Sequence, residues 1–196
     1  MKKSVIASVM ALGMASGLAQ AADTPDNEIQ FKGNVSTVTC DLAPSVNGSL
    51  NPDGVGVIQL GDVKVGGTGK VVSFAFKPTN AQGNQTACDN IANGTTKNPN
   101  GAAYQSVDLT WKGVKFGNAG LGASDGSAAT DSHVEIKPVN STGQNTSFIK
   151  ASGEVNSFPV SVLGTGNDGL KYEAVLKGGQ VAGEFAASAN FNMSYN

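Results

Sequence analysis

From Phe185 onward the apolar residues fall on every second position: Phe185, Ala187, Ala189, Phe191, Met193 and Tyr195. Ala186, Ser188, Asn190, Asn192 and Ser194 lie between them. A period of two puts one set of side chains on one face of an extended chain, so this segment is predicted to be a half-buried β-strand. The same alternation recurs upstream. Ile29 to Leu42 alternates on Ile29, Phe31, Gly33 and Val35, and Val55 to Leu60 reads as a short strand. Val72, Phe74 and Phe76 alternate and stop at Pro78. Val107, Leu109 and Trp111 alternate, with Val114 and Phe116 continuing beyond Lys112-Gly113. Val134 with Ile136, then Phe158, Val160 and Val162, then Tyr172, Ala174 and Leu176 complete the series. No segment of the mature chain shows sustained helical periodicity, and stretches 80–101 and 117–132 read as loops. Short strands at this spacing predict one antiparallel β-sandwich or barrel. The terminal strand is one residue from the last in the sequence, so its neighbour is expected to come from elsewhere.

Composition agrees with that reading. The chain has 26 glycines in 196 residues, well above the usual ~7%, and they act as turn residues between strands. Met1-Lys2-Lys3, an apolar run and Ala19-Gln20-Ala21 read as a secretory signal peptide over residues 1–21, with mature Ala22. The run is shorter than the ~20 apolar residues of a membrane span. Of 13 basic residues, all lysine, Lys2 and Lys3 leave with the leader; the remaining 11 face 15 acids, a net charge near −4. Such a chain has no clustered cations to hold phosphates, which argues against nucleic acid. In an exported protein the two cysteines, Cys40 and Cys88, most simply form one disulfide. Closing a loop of roughly 50 residues contributes on the order of 3–4 kcal/mol, chiefly through the unfolded chain. With a single histidine, His133, they cannot complete a four-ligand zinc site, and no metal is expected.

Candidate chemistry is sparse. Gly164-Thr165-Gly166-Asn167-Asp168-Gly169 matches G-x-G-x-x-G, but a dinucleotide site needs a helix to open there. The following LKYEAVLK alternates like a strand, so the segment reads as a hairpin turn. His133 stands at the mouth of a short strand with no nucleophile motif around it, and reads as a surface or packed residue. Trp111 alternates with apolar neighbours and reads as core. The several N-x-[ST] triplets are what an Asn/Ser/Thr-rich sequence produces by chance. No catalytic residue and no cofactor are expected.

Three features form a set. Phe31-Lys32-Gly33-Asn34-Val35 precedes Cys40, Cys88 follows, and the chain ends with Gly183 fourteenth from the end and Tyr195 penultimate. Together they resemble the pilin subunits of chaperone–usher fimbriae, along the whole chain. Ala43 to Gly48 and Thr68 to Val72 are similar to major pilins of the K99 and F17 type. The resemblance implies an all-β, immunoglobulin-like sandwich that lacks its last strand and is completed by a donor strand from another subunit. It implies a donor extension at residues 22–35, with Ile29, Phe31, Gly33 and Val35 presenting one face, and a pilin domain at 36–196. The boundary between extension and first strand is left open. It implies a groove and chaperone-binding strand at Gly183, Phe185, Ala187, Ala189, Phe191, Met193, Tyr195 and Asn196, and a Cys40–Cys88 disulfide.

The implied partners are a periplasmic pilus chaperone, an outer-membrane usher and neighbouring copies of this chain or related pilins. The implied route is through the periplasm to a surface fimbrium that contributes to cell adhesion. Alternatives are a minor adaptor subunit of the same fibre, or a polymeric lectin-like pilin. In the latter, loops 80–101 and 117–132, with Lys97, Lys112 and Lys115, would meet host glycans.

Overall fold

The structure, a computed structural model, describes residues 40–46, 48–50, 56–142 and 147–196. The leader 1–21 and the donor-strand residues Ile29, Phe31, Gly33 and Val35 lie outside them. The described strands are β1 (Leu42–Val46), β2 (Ser49–Leu50), β3 (Val72–Pro78), β4 (Ser106–Lys112), β5 (Phe116–Gly117), β6 (Gly120–Gly122), β7 (His133–Pro138), β8 (Val155–Pro159), β9 (Leu170–Lys177) and β10 (Asn190–Tyr195). All pairs are antiparallel. The larger sheet runs β2-β1-β3-β9-β7-β6-β5 and the smaller runs β10-β4-β8.

The alternation read from the sequence is what joins the two sheets. From the larger sheet Phe74, Phe76, Tyr172, Ala174 and Leu176 are buried; from the smaller, Val107, Leu109, Trp111 and Phe158. Their rings interlock around Tyr172, which stacks on Phe74 at 5.5 Å and meets Trp111 at 5.4 Å and Phe158 at 5.5 Å. Each such side chain contributes about 1.5–3 kcal/mol by leaving water, and ring pairs add to it. The Tyr172 hydroxyl keeps a partner by donating to Asn156 Oδ1 at 3.1 Å. Burial pushes its ionisation well above the ordinary tyrosine range. Trp111 is 5% exposed, a core residue as its alternation indicates.

Several local expectations are corrected. Residues 84–92, read as loop, form helix α1 (Asn84–Ala92). Its buried residues are Asn84, Cys88 and Ile91, spaced i, i+4, i+7. That is a helical face, but nine residues with one polar member are too few to stand out. Residues 56–60 are not a strand, though Ile58 and Leu60 do pack on the core. Val114 does not continue β4. It is 96% exposed in the turn that carries the chain from β4 to β5 in the other sheet. Val160 and Val162 do not extend β8, which stops at Pro159 and gives way to a 3-10 turn, Val160–Leu163. The glycine-rich turn after it is not a hairpin, because β8 and β9 belong to different sheets. A strand, not a helix, does follow it, so the pyrophosphate geometry is absent there.

The disulfide joins Cys40 to Cys88, with Cα atoms 4.8 Å apart. It ties Cys40, two residues before β1, to the middle of α1. Both cysteines are buried.

Candidate functional site

The site is the outer edge of the smaller sheet, where β10 lies. β10 pairs with β4 from Asn190↔Lys112 to Tyr195↔Val107. Antiparallel residues alternate between hydrogen-bonded and non-bonded pairs, and the phase here can be read directly. Asn196 N–H donates to Ser106 C=O at 2.9 Å, and Ser106 N–H donates to Asn196 C=O at 3.0 Å. Trp111, opposite Phe191, spends its backbone on the other side, with N–H to Glu154 and C=O to Gly153. Asn190, Asn192 and Ser194 therefore bond β4. The backbone N–H and C=O of Phe191, Met193 and Tyr195 turn outward, to an edge that carries no strand among the described residues.

The side chains follow the same phase. Phe185, Ala187, Ala189, Phe191, Met193 and Tyr195 all face the core and are all half-buried, while the residues between them are exposed. Phe191 sits 4.5 Å from Phe76 and 6.5 Å from Trp111. An apolar wall is thus in place, and among the described residues no strand pairs with its outer edge. The sequence assigned one strand from Phe185; regular pairing covers only Asn190–Tyr195. Upstream, a loop replaces β4 as the neighbour. Glu184 C=O accepts N–H bonds from Ala128 and Ala129, each 3.0 Å, and Ala186 C=O accepts from Ser124 at 2.8 Å. The phase is unbroken, so Phe185, Ala187 and Ala189 stay on the wall.

Two glycines let this loop close on the wall. A Cβ on Gly183 would lie 2.5 Å from that of Ala128, and one on Gly179 would overlap the Asp131 carboxylate. Asp131 accepts the N–H groups of Gln180 at 2.6 Å and Val181 at 3.1 Å. These bonds hold its carboxyl below the ordinary range. The backing loop lies within stretch 117–132, read from the sequence as a loop and a candidate glycan site; its role against the terminal segment, and that of Asp131, carry no signal there beyond a turn-rich composition.

At the far end the wall meets the start of β1. Tyr195 packs edge-on to Tyr104 at 6.0 Å, and its hydroxyl donates to Cys40 C=O at 2.6 Å. Burial, with Asp41 nearby, pushes its ionisation well above the ordinary tyrosine range. The Tyr195 end of the terminal segment and the disulfide are therefore brought together. Of the lysines, Lys112 lines an open cleft with Ser152, Ser188 and Asn190, Lys115 pairs with Asp125 at 2.7 Å, and Lys97 lies in another loop. No group of three or more metal-ligating side chains occurs among the described residues.

Comparison with known proteins decides the family. No family model matches the chain. The F107 fimbrial protein of Escherichia coli is 35% identical over 195 residues, covering 100% of this chain and 99% of that protein. The chain belongs to this family of fimbrial proteins. The K99 fimbrial protein of Escherichia coli is 28% identical over 209 residues, again covering 100% and 99%. The crystal structure of the P pilus rod subunit PapA aligns at a TM-score of 0.48 and 23% identity, over 86% of this chain and 99% of that one. As a member of this family the protein is a structural subunit of a surface fimbria, not an enzyme. The disulfide and the antiparallel β architecture agree with the sequence reading.

Proposed function

We propose that this fimbrial subunit polymerises by donor-strand exchange, as an immunoglobulin-like sandwich lacking its last strand. One observation carries the reading: the β10 wall, where apolar side chains are half-buried and the backbone groups of Phe191, Met193 and Tyr195 face an edge that carries no strand among the described residues. A segment that alternates apolar and polar side chains satisfies both needs at once. Ile29, Phe31, Gly33 and Val35 of another copy form such a segment. Strand addition at an open edge is a recognised mode of assembly, and it removes a template for aggregation. Burying three or four apolar side chains yields roughly 5–10 kcal/mol before ordering costs. Head-to-tail contacts of this kind do not close, so they build filaments. In the periplasm a chaperone would occupy the same edge before the usher exchanges it, gripping the strand near Tyr195 and Asn196.

The test is deletion of residues 22–33. The truncated subunit should take up a synthetic peptide of residues 22–35 yet fail to form fibres with itself. Continued self-polymerisation would refute the donor assignment. Replacing Gly33 with a bulky residue should likewise stop fibre growth while the chaperone complex still forms; normal fibres would remove Gly33 from the mechanism.

A second reading, glycan binding by the fibre, is favoured by the cleft that sets Lys112 among Ser152, Ser188 and Asn190. Purified fibres on a glycan array decide it: acidic-glycan binding lost in Lys112→Ala supports it, and no binding excludes it.

A further inference from the structure

The terminal segment has two neighbours on its inner side. Asn190, Asn192 and Ser194 bond β4, whereas Glu184 and Ala186 turn the same way and meet the loop 124–132. Ser124 N–H donates to Ala186 C=O at 2.8 Å, and the N–H groups of Ala128 and Ala129 to Glu184 C=O at 3.0 Å. Ser127 Oγ donates to Glu184 C=O at 2.9 Å and accepts from Ala186 N–H at 3.3 Å. The Ser124 and Ser188 hydroxyls lie 3.5 Å apart. The loop is in turn fixed to the chain that leads into the segment. Asp131 accepts the N–H groups of Gln180 and Val181, and Ser132 Oγ that of Gly179 at 3.0 Å. Beyond Phe185 the wall here consists only of Ala187 and Ala189, so apolar burial holds this stretch weakly. The polar bonds keep it extended. They are made by even-numbered residues, so the backbone of Phe185, Ala187 and Ala189 is directed to the same outer edge as that of Phe191, Met193 and Tyr195. That edge spans eleven residues, Phe185 to Tyr195. At ~3.3 Å per residue it is about 36 Å long, against about 20 Å for β10 alone.

We propose that the loop 124–132 is a support for the incoming strand: it extends the acceptor edge from β10 back to Phe185, with Asp131 and Ser127 as positioning residues. This rests on the donor-strand reading above. The occupant is the 22–35 segment of another copy, and its pattern calls for the longer edge. It presents four positions on one face, Ile29, Phe31, Gly33 and Val35, whereas β10 offers three, Phe191, Met193 and Tyr195. Whatever the register, at least one position falls beyond β10, on the stretch that the loop holds straight. The segment's fourteen residues are enough to pair along all eleven of the edge. Asp131 and Ser127 act through the backbone of Gln180, Val181, Glu184 and Ala186, on the side away from the incoming strand.

The test is amide hydrogen exchange in intact fibres of wild type, Asp131→Ala and Ser127→Ala, read at single residues by mass spectrometry. In wild-type fibres the Ala187 and Ala189 amides should exchange as slowly as those of Phe191, Met193 and Tyr195. In each variant the two alanine amides should speed up by about tenfold, the scale of one lost hydrogen bond, while the three β10 amides stay slow. The β10 amides are the internal reference, because a general loss of stability would speed all five alike and overturn the proposal. Slow exchange at Ala187 and Ala189 in both variants would also overturn it; in one variant alone, it would remove that residue from the support. Should Asp131→Ala form no fibres, Ser127→Ala, which loses a single hydroxyl, decides. Failure of the two readings is separable. Fast exchange at all five amides in wild-type fibres removes the donor strand and the support together. Slow exchange confined to Phe191, Met193 and Tyr195 removes only the support.

Discussion

The Tyr195 hydroxyl has left water for the carbonyl of Cys40, 155 positions away in sequence. Replacing it by Phe keeps the ring against Tyr104 and removes only that bond. The expected loss is about 0.5–1.5 kcal/mol, read from the shift in denaturant midpoint. Its titration gives a second readout. An unfolded tyrosine ionises near ~10, whereas burial raises the folded value for both Tyr195 and Tyr172. The folded state therefore holds protons that the unfolded state releases. Stability is fully present below that unfolded value and falls as pH rises above ~10. Tyr195→Phe should flatten this alkaline decline in part, leaving the Tyr172 share; a decline identical to wild type would show that the buried hydroxyl is not coupled to folding. Phe191→Ala should cost about 2 kcal/mol and should weaken uptake of the 22–35 peptide, because the ring is both core contact and wall. Equal uptake would separate Phe191 from the groove.

As an element, the C-terminal segment is two things in series. Six of its residues, Asn190–Tyr195, are a strand paired to β4. The residues before them are extended chain strapped to a loop through Asp131, Ser127 and the 124–129 backbone. The alternation that reveals the wall is identical in both halves, because period two reports which side a residue faces and not what lies beside it. The strap is the half that should open first. The Asp131 carboxyl is held low by two N–H bonds, so its contribution is present above the ordinary Asp value of ~3.9. It is lost as pH falls below that value. Protection of the Gln180 and Val181 amides, corrected for intrinsic exchange, should drop between pH 5 and 2 and be absent at neutral pH in Asp131→Ala. Protection unchanged in that variant would remove Asp131 from the strap.

For the whole molecule, the disulfide links the root of β1 to α1, and through Tyr195 to β10. Reduction should lower stability by on the order of 3–4 kcal/mol and expose Asp41, measured as a fall in denaturant midpoint under reductant together with faster Asp41 exchange. A midpoint shift without change at Asp41 would confine the bond to the unfolded chain. The two sheets differ in how they are finished. The larger ends in the short strands β2 and β5, which offer little edge. The smaller ends in β10, six residues long and backed by an apolar face.

Much of this was present in the order of residues. Alternation placed β3, β4, β7 and β9, the core ring of Trp111, and the wall from Phe185 to Tyr195, since burial on one face writes a period into the chain. Two cysteines in an exported chain left one pairing. Only the tertiary structure decided where a strand stops being a strand. It turned Val114 outward, folded Val160 and Val162 into a helical turn, and coiled residues 84–92 around Cys88. Those outcomes depend on which sheet the chain must reach next, a contact between distant segments that leaves no local period. The same holds for the wall. Its apolar positions are local and legible, but that β10 stands at the end of the smaller sheet among the described residues is a property of how the sheets are ordered, which no local period records.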